Sequence, residues 1–524
     1  MALMLLIACG PTASISLNLS TGSVLVFLGG SEDVEVTLTR SADATADVTL
    51  SASGAPAWVT VTFAPATLSG ATLTSTMTVA TDGSHPDAEP LAFDLTVSAV
   101  GPGVGASKQL AVVVEQLNVN GTVVNGAGEP LAGLTVHIPG HVATVSGADG
   151  TFMLDNVVAP YDLTVADPVS NVAHTFVGLT MADPVLQPLG ALLGSSLEFS
   201  TNVTGSLVHA TLVPIPTQHA ATVCIEGIDR AVQFGCGSVV AAASSFSLFG
   251  QWAGAASTSV RLRAVIYEVD ADGEPTAIVA AGTSGAFTLT DGIVGNQDVT
   301  VTSTSSQAVV ATTTSVPPGY THTGRQLIAH HSDFASISLG GSAGAALTRD
   351  VIAPFFVGGD YSLFVTAQSN VPSSGSVTIA WSAGLASGDS VSLSLPRPAV
   401  QVSPPDVATG ITEATEFTVV NPDGGVVTHV FGPAGSGTTY VVTTAGTTAS
   451  IPDLATIGLA LPATSDYSWV ALTLHDVTTM DAVATEGGYL TQFLLLSNSS
   501  SGAGPGPQAN GRISTSHTRT FTTQ

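Results

Sequence analysis

Five consecutive small residues, Gly340-Gly341-Ser342-Ala343-Gly344, match the G-x-S-x-G pattern of a serine nucleophile. In enzymes that use this pattern, the serine occupies a strained turn between a strand and a helix of an α/β sheet, and the glycines permit that turn. Here the flanking sequence alternates as β-strands do, and glycine, alanine and serine are frequent throughout the chain. Because the pattern then arises readily by chance, we expect no catalytic serine and no enzymatic activity.

The densest group of imidazoles lies in the segment THTGRQLIAHHSD, which contains His322, His330, His331 and Asp333. Imidazole is a ligand for first-row metals. On a strand, His331 and Asp333 would share one face, whereas His330 would point to the other. Because at most one of these two histidines can join Asp333, a solvated polar loop is the leading interpretation, and a metal site is the alternative.

Two other sets of metal-ligating side chains are incomplete. Asp270 and Asp272 alternate before a glycine, as in calcium loops, but a full EF-hand loop needs a glutamate where this chain has Ala281. We expect a hairpin turn with its carboxylates in water, and a weak calcium site at Asp270 and Asp272 is the alternative. His137 and His141 flank a turn and have no obvious third ligand. No other cofactor is expected.

Cys224 and Cys236 are the only cysteines after residue 9, and eleven residues separate them. Two cysteines without paired histidines cannot form a structural zinc site. A close pair is typical of a disulfide in an exported chain, and closing such a loop contributes about 3 kcal/mol. Two reduced, buried thiols are the alternative.

The N-terminus has the residues of a lipid-attachment signal. An apolar run ends in Leu6-Ile7-Ala8-Cys9, which resembles the lipobox of bacterial lipoproteins. The resemblance implies cleavage before Cys9 and attachment of a diacylglycerol to its sulfur, which would anchor the protein to a membrane. No Lys or Arg precedes Cys9 and the apolar segment is short, so we interpret residues 1–9 as a truncated signal whose start lies upstream. A plain apolar N-terminus is the alternative.

The composition excludes several classes of protein. The 524 residues include 10 Lys and Arg against 38 Asp and Glu, which gives a net charge of −28, and only 9% are charged. So few basic residues exclude a nucleic-acid interface. A hydrophobic content of 44% excludes an acidic disordered chain. The uncharged stretch 231–260 is interrupted by glutamine, glycine and serine, so it does not predict a membrane-spanning helix.

Period-two alternation of apolar and hydroxyl residues, broken by Gly, Pro, Asn and Asp, predicts an all-β protein. Residues 14–116 carry about eight such strands in about 100 residues, which is typical of one sandwich. Val34, Val36 and Leu38 share one strand face there. The segment VTLTRSADATADVTLSASGAPAWVTVTFAPATLSG resembles the immunoglobulin-like repeats of bacterial surface proteins, with Trp58 closing one end of the core.

Residues 117–167 carry the most specific resemblance. The turns Asn125-Gly126 and Asp149-Gly150, and the return of Phe152 and Leu154 towards the core, match the carboxypeptidase regulatory-like domain. The resemblance implies a small, seven-stranded, prealbumin-like sandwich that accompanies many secreted proteins and is grouped with carbohydrate-binding-like folds. It does not imply peptidase activity, because none of the twelve histidines has a glutamate at the His-x-x-Glu spacing.

The rest of the chain is interpreted as three more β-rich segments and a tail. We expect domains at 196–302, 303–395 and 400–480, and the last resembles a fibronectin-III-like sandwich with Trp469 in its core. Within 181–194 we expect a short helical turn. Residues 497–524 are rich in Ser, Gly and Pro, which predicts a disordered tail.

Together these features predict tandem β-sandwich domains in a non-enzymatic, lipid-anchored protein of the outer membrane or cell surface, with a structural, adhesive or interaction role. Its partners would be the membrane, through the anchor, and surface glycans or proteins, but no nucleic acid. The alternative is a carbohydrate-binding or enzyme-accessory surface protein, for which Trp252 and Trp381 are the uncommitted aromatic platforms.

Overall fold

The computed structural model describes most of residues 13–485 and all of 509–524. The positions not described between 13 and 485 are 71, 82–90, 116, 126–127, 129, 168, 189–198, 229–231, 233–234, 240–241, 253–254, 272–274, 305, 333–334, 343–347, 355–359, 372–374 and 387–388. Only the backbone is described at 275, 306–314, 329–332, 335–342, 348–354 and 360. The chain divides into two compact units, one of Met1–Asn120, Met153–Asp162 and Gly178–Asp183, the other of Gly121–Phe152, Leu163–Val177 and Pro184–Gln524.

Residues 15–115, in the first unit, form a two-sheet sandwich because apolar and hydroxyl residues alternate along the strands. Its strands are β1 (Ile15–Leu19), β2 (Ser23–Phe27), β3 (Ser31–Arg40), β4 (Val48–Ser53), β5 (Val59–Ala64), β6 (Thr67–Leu68), β7 (Thr74–Thr81), β8 (Ala92–Gly101) and β9 (Val104–Glu115). The sheet orders are β1-β3-β7-β5 and β2-β9-β8-β4-β6. Val34, Val36 and Leu38 are buried, as predicted, and Trp58 packs edge-to-face on Phe93 in the same core.

The next segment has strands beyond residue 167, where the sequence analysis ended its domain. The strands are β10 (Leu117–Val123), β11 (Thr135–His137), β12 (Thr144–Val145), β13 (Thr151–Val157), β14 (Tyr161–Asp167), β15 (Val172–Leu179) and β16 (Val185–Leu186). β16 pairs in parallel with β10, so the helical turn expected within 181–194 is wrong for 181–188, the part described. Gly121 must be glycine, because a Cβ there would lie 2.2 Å from the ring of Phe152.

Residues 199–303 form another sandwich. Its strands are β17 (Phe199–Val208), β18 (His219–Gly227), β19 (Cys236–Val239), β20 (Ser245–Trp252), β21 (Ser257–Val269), β22 (Pro275–Thr283), β23 (Phe287–Thr290), β24 (Gly292–Val294), β25 (Val299–Thr300) and β26 (Thr302–Ser303). One sheet has the order β20-β17-β24 and the other β19-β18-β21-β22-β26. Their inner faces enclose one apolar cluster that includes Val203, Val223 and Leu262.

The segment after it packs on the outer face of the β18–β21 sheet. Its strands are β27 (Ser306–Ser315), β28 (Tyr320–Ser332), β29 (Ala335–Ser342), β30 (Thr348–Pro354), β31 (Asp360–Ser369), β32 (Val377–Leu385) and β33 (Ser390–Ser394). One apolar cluster contains Val265 of β21 together with Leu327 of β28 and Leu363 of β31. The two β-rich segments therefore share a core.

The last segment includes residues that the sequence analysis assigned to a disordered tail. Its elements are β34 (Val400–Ser403), β35 (Ala408–Ile411), β36 (Phe417–Val420), β37 (Val426–Pro433), β38 (Thr439–Thr444), β39 (Thr448–Ala449), a 3-10 turn (Ala455–Ile457), β40 (Asp466–Leu474), α1 (Met480–Val483), β41 (Gly511–Thr515) and β42 (Arg519–Thr523). The prediction of disorder is wrong for residues 509–524. β41 and β42 form because Ile513 and Phe521 are buried, and because Arg519 donates to the carbonyls of Gln401 and Pro404.

One sheet of fourteen strands joins segments that the sequence predicts as separate domains. β41 pairs with β32 on one side and with β40 on the other, so that Ile513 lies opposite both Ile379 and Leu474. β15 pairs in parallel with β38, from Val172 and Thr439 onward. Backbone hydrogen bonds therefore connect the regulatory-like segment, the last sandwich and the segment before it.

Candidate functional site

The serine of the nucleophile pattern lies in a strand. Gly340, Gly341 and Ser342 are the last residues of β29, and Ser342 pairs with Arg325 of β28. The residues that complete the pattern, Ala343 and Gly344, are outside the described residues. An extended, sheet-paired serine does not have the strand-to-helix turn that presents a nucleophile.

The imidazole cluster also lies in a strand, so its interpretation as a solvated loop is wrong. His322, His330 and His331 are in β28, where His322 is buried and pairs with Ala367. Asp333 lies outside the described residues. Among the residues that the structure describes, no group of three or more His, Cys, Asp or Glu side chains is arranged to hold a metal ion.

The calcium and lipid sites stay predictions. Asp270 is exposed directly after β21, and Val269 pairs with Pro275 of β22, so Asp270 begins a hairpin connection between these strands. Asp272 and Cys9 are outside the described residues.

A disulfide joins Cys224 of β18 to Cys236 of β19, directly opposite each other in the sheet. Beside it, Glu226 is 1% exposed and accepts hydrogen bonds from Arg261, with Nε–Oε2 2.8 Å and Nη2–Oε1 2.6 Å, and from Arg263. Burial alone would raise the pKa of Glu226, but hydrogen bonds and charges from the two arginines outweigh burial and hold the pKa below its ordinary value. Both carboxylate oxygens of Glu226 are bonded to the two arginines, so this ion triad links β18 to β21.

The two aromatic platforms considered for sugar binding are buried. Trp252 is 0% and Trp381 is 1% exposed, and their Nε1 atoms donate to the carbonyls of Ala255 and Ala509 at 2.9 and 2.8 Å. Neither ring can stack on a sugar, so these two uncommitted tryptophans offer no platform for the alternative, carbohydrate-binding interpretation.

A serine–histidine pair that the sequence analysis missed lies in the fourteen-stranded sheet. Ser514 Oγ of β41 is 2.8 Å from Nε2 of His475, whose Nδ1 is 3.1 Å from the carbonyl oxygen of Gly424. This arrangement matches a nucleophile, its base and an orienting acceptor. However, Ser514 is 1% and His475 is 4% exposed, and burial lowers the pKa of His475 to about 4. A substrate cannot reach the hydroxyl, so the pair is a structural contact.

The part of the chain that the structure describes includes two open clefts. In the first unit, a cleft of about 530 Å³ has Phe27, Ser31 and Glu32 on its walls, and Phe27 is 37% exposed. In the second unit, a cleft of about 580 Å³ is lined by the loop 433–438 together with Asp466 and Tyr467. Only the first combines an accessible aromatic ring with a carboxylate, which is a combination suited to a polar ligand with an apolar face.

No protein-family model and no curated protein matches the chain. The chain is similar to domains 4–9 of the surface layer protein SbsC, with 10% identity over 97% of this chain and 65% of that chain, and a TM-score of 0.15. It is also similar to the pilus adhesin SpaC from Lactobacillus rhamnosus GG, with 10% identity over 67% of this chain and 56% of that one, and a TM-score of 0.13. The chain spans less than two thirds of either protein chain. Such identities and TM-scores do not establish a common ancestor or a common activity.

Neither helical segment among the described residues has the length and apolar character needed to cross a bilayer.

Proposed function

We propose that this protein is a non-enzymatic cell-surface protein, anchored by a lipid on Cys9, whose tandem β-sandwiches have a structural, adhesive or interaction role. The observation that carries the proposal is the fourteen-stranded sheet. Modules joined by flexible linkers move independently, whereas modules that share hydrogen-bonded strands keep a fixed arrangement. A fixed arrangement of sandwiches suits a structural or adhesive protein, which must hold its exposed surface in a constant orientation.

Two further features support a location outside the cytoplasm. The disulfide between Cys224 and Cys236 is a kind of bond that persists in oxidising compartments. Hydroxyl residues occupy the exposed positions of many strands, such as Thr49 and Ser51 of β4, and the net charge of −28 favours solubility.

The anchor is tested by labelling cells that produce the full chain with radioactive palmitate and then treating intact cells with protease. Wild-type protein should carry the label and be digested from outside, whereas Cys9→Ser should lose the label and appear in the medium. Thr12→Ser is the matched control and should behave as wild type. A wild-type chain that carries no label would contradict the anchor, and a chain protected from protease would contradict the surface location.

The adhesive role is tested by comparing the attachment of cells that display the wild-type chain, the variant Ile513→Asp, or no chain. Ile513 lies between β32 and β40 and is buried, so a carboxylate there should release β41 and reduce attachment at equal surface amount. Val400→Asp is the matched control, because Val400 is 60% exposed. Equal attachment by all strains, including the deletion, would contradict this role.

A saccharide-binding role is the second candidate, and the cleft at Phe27 and Glu32 is the observation that favours it. An aromatic ring can pack on the apolar face of a sugar while a carboxylate accepts hydrogen bonds from its hydroxyls. A glycan array probed with the full chain should give a signal that Phe27→Ala and Glu32→Gln both abolish. Leu25→Ala is the matched control, because Leu25 is 44% exposed on the same strand and does not line the cleft. Binding that survives both cleft substitutions would reject this site.

A further inference from the structure

Five histidines are buried among the described residues of the fourteen-stranded sheet, namely His137, His174, His322, His429 and His475, and three of them are the most deeply buried. His174 lies on β15, His429 on β37 and His475 directly after β40, and they are 0%, 0% and 4% exposed. A buried imidazole that gains a second proton must hold a charge away from water, which is unfavourable without a counter-charge. What each ring contacts therefore decides whether the sheet tolerates acid.

His174 lies within the parallel pairing that joins β15 to β38. Its Nε2 is 2.8 Å from the hydroxyl of Thr443, which is 2.9 Å from the hydroxyl of Thr428, and its ring stacks on Phe176 with centroids 4.2 Å apart. Thr175 and Thr164 bond to each other on the face of the sheet that is opposite to His174. Because side chains alternate along a strand, the residues of β14 on the face of His174 are Leu163 and Val165. On β38, the residues on its face are Val441 and Thr443. These neighbours are apolar or hydroxyl side chains.

His429 has a contact that only the neutral ring can make. Trp469 Nε1 donates to Nδ1 of His429 at 3.2 Å, and the two rings stack at 8° with centroids 5.9 Å apart. An indole N–H is only a donor, so a proton on Nδ1 would place two donors against each other. Acid must break this hydrogen bond.

His475 does not share this restriction, because the hydroxyl of Ser514 can either donate or accept. A carbonyl is only an acceptor, so Nδ1 carries the proton donated to Gly424, and Nε2 accepts from Ser514. The charged groups that affect His475 are Asp423, Arg512 and Asp476.

Burial lowers the pKa of His174 to about 3, and the pKa values of His429 and His475 to about 4. Burial is the cause of the pKa shifts of His174 and His429 and the largest cause of the pKa shift of His475. In an opened state these rings return to an ordinary pKa of 6.5, so the opened state binds more protons below that pH. The stability of the closed state is therefore complete above pH 6.5 and is lost as the pH falls from 6.5 towards the folded values.

We propose that the pairing of β15 with β38 is an acid-sensitive joint, with His174 as its trigger, that detaches the regulatory-like segment from the last sandwich in a mildly acidic medium. Opening frees the hydrogen-bonding edges of both strands and uncovers His174, Thr443 and Phe176. The joint responds to the pH of the medium whatever partner the protein has at neutral pH.

The test is hydrogen–deuterium exchange of the full chain at pH 7.5 and pH 5, corrected for the intrinsic exchange rate. Peptides that cover 172–177 and 439–444 should lose protection at pH 5, and the opening equilibrium should rise about 30-fold for each histidine released. Peptides that cover β3 and β8 should keep their protection. Unchanged protection of 172–177 at pH 5 would overturn the proposal.

His174→Gln removes the titrating group and keeps a side chain that can bond to Thr443. In this variant the rise in opening between pH 7.5 and pH 5 should be about 30-fold smaller than in wild type. His517→Gln, at an exposed position, is the matched control and should behave as wild type. If the opening equilibrium rises as much in His174→Gln as in wild type, His174 is not the trigger.

If the peptide 172–177 of His174→Gln exchanges freely even at pH 7.5, the variant cannot test the proposal. The wild-type chain is then tested instead, by labelling its histidines and titrating them by nuclear magnetic resonance. The ring of His174 should stay neutral for as long as the joint is closed. A His174 ring that titrates near pH 6.5 in the closed state would overturn the proposal.

Discussion

The N-terminal sandwich and the fourteen-stranded sheet are both built from alternating strands, but their interiors differ in polarity. Among the described residues of the sandwich, the buried polar side chains are Ser75 and Thr81, and both bond to backbone carbonyls. The interior of the sheet also contains His174, Thr443 and His429, which bond to other side chains. The sandwich is stabilised by apolar burial, whereas the sheet also depends on specific pairs of polar groups.

The difference teaches how the modules of the second unit are joined. Apolar burial has no direction, so it favours many packings of similar energy. A buried imidazole opposite a hydroxyl is favourable in one register and unfavourable in others, because a shift of one residue leaves both groups without a partner. The polar pairs therefore specify the register of β15 against β38, and this specificity makes the joint dependent on pH.

The ion triad lies in another sheet of the second unit, the β18–β21 sheet, and gives the largest expected effect for a buried polar group. Glu226→Ala should leave Arg261 and Arg263 together without a counter-charge, and should lower the free energy of unfolding of the second unit by about 3–5 kcal/mol. Urea unfolding followed by tryptophan fluorescence measures the loss. Glu268→Ala, whose side chain is 51% exposed, is the control and should change stability by less than about 0.5 kcal/mol. Equal effects of the two substitutions would show that the triad contributes nothing particular.

The apolar interior is tested by Leu95→Ala on β8. Leu95 is 0% exposed, so its truncation should lower the free energy of unfolding of the N-terminal sandwich by about 2–5 kcal/mol, through lost burial and the cavity left behind. The loss should be the same at pH 7.5 and pH 5, which distinguishes this interior from the sheet. Val100→Ala, at 58% exposure on the same strand, is the control. A loss of stability in Leu95→Ala that changes with pH would contradict the contrast between the sandwich and the sheet.

The hydroxyl opposite His174 has a smaller expected effect. Thr443→Val keeps the shape of the side chain but removes the hydrogen-bond partner of His174 and of Thr428, so we expect a loss of about 1–3 kcal/mol. Exchange of the peptide 172–177 at pH 7.5 measures it locally. Thr439→Val, on the same strand, has no side-chain bond to His174 and should have little effect. Equal exchange in the two variants would mean that the register does not depend on this pair.

The sequence predicts the N-terminal sandwich well because its signals are local. Alternation places Val34, Val36 and Leu38 on one face without knowledge of the rest of the chain. β41 and β42 were missed because they are short and Ser/Thr-rich, and their partners are distant in the chain. The pair of Ser514 and His475, which are 39 residues apart, exists only after β41 has paired with β40. The burial of Trp381 likewise depends on residues 128 positions away, including Ala509.

The smallest effect is expected at a polar pair that is not buried. Arg512 of β41 bonds to Asp476 with Nη2–Oδ1 2.6 Å, and their side chains are 38% and 33% exposed. Because water and salt screen such a pair, Arg512→Ala should lower the free energy of unfolding by only about 0.2–1 kcal/mol, and the effect should disappear in about 1 M salt. Urea unfolding at low and high salt measures both values. A loss as large as that of Glu226→Ala, in the β18–β21 sheet, would mean that exposure does not separate strong from weak polar pairs in the second unit, and that burial of a pair is not what makes it stabilising.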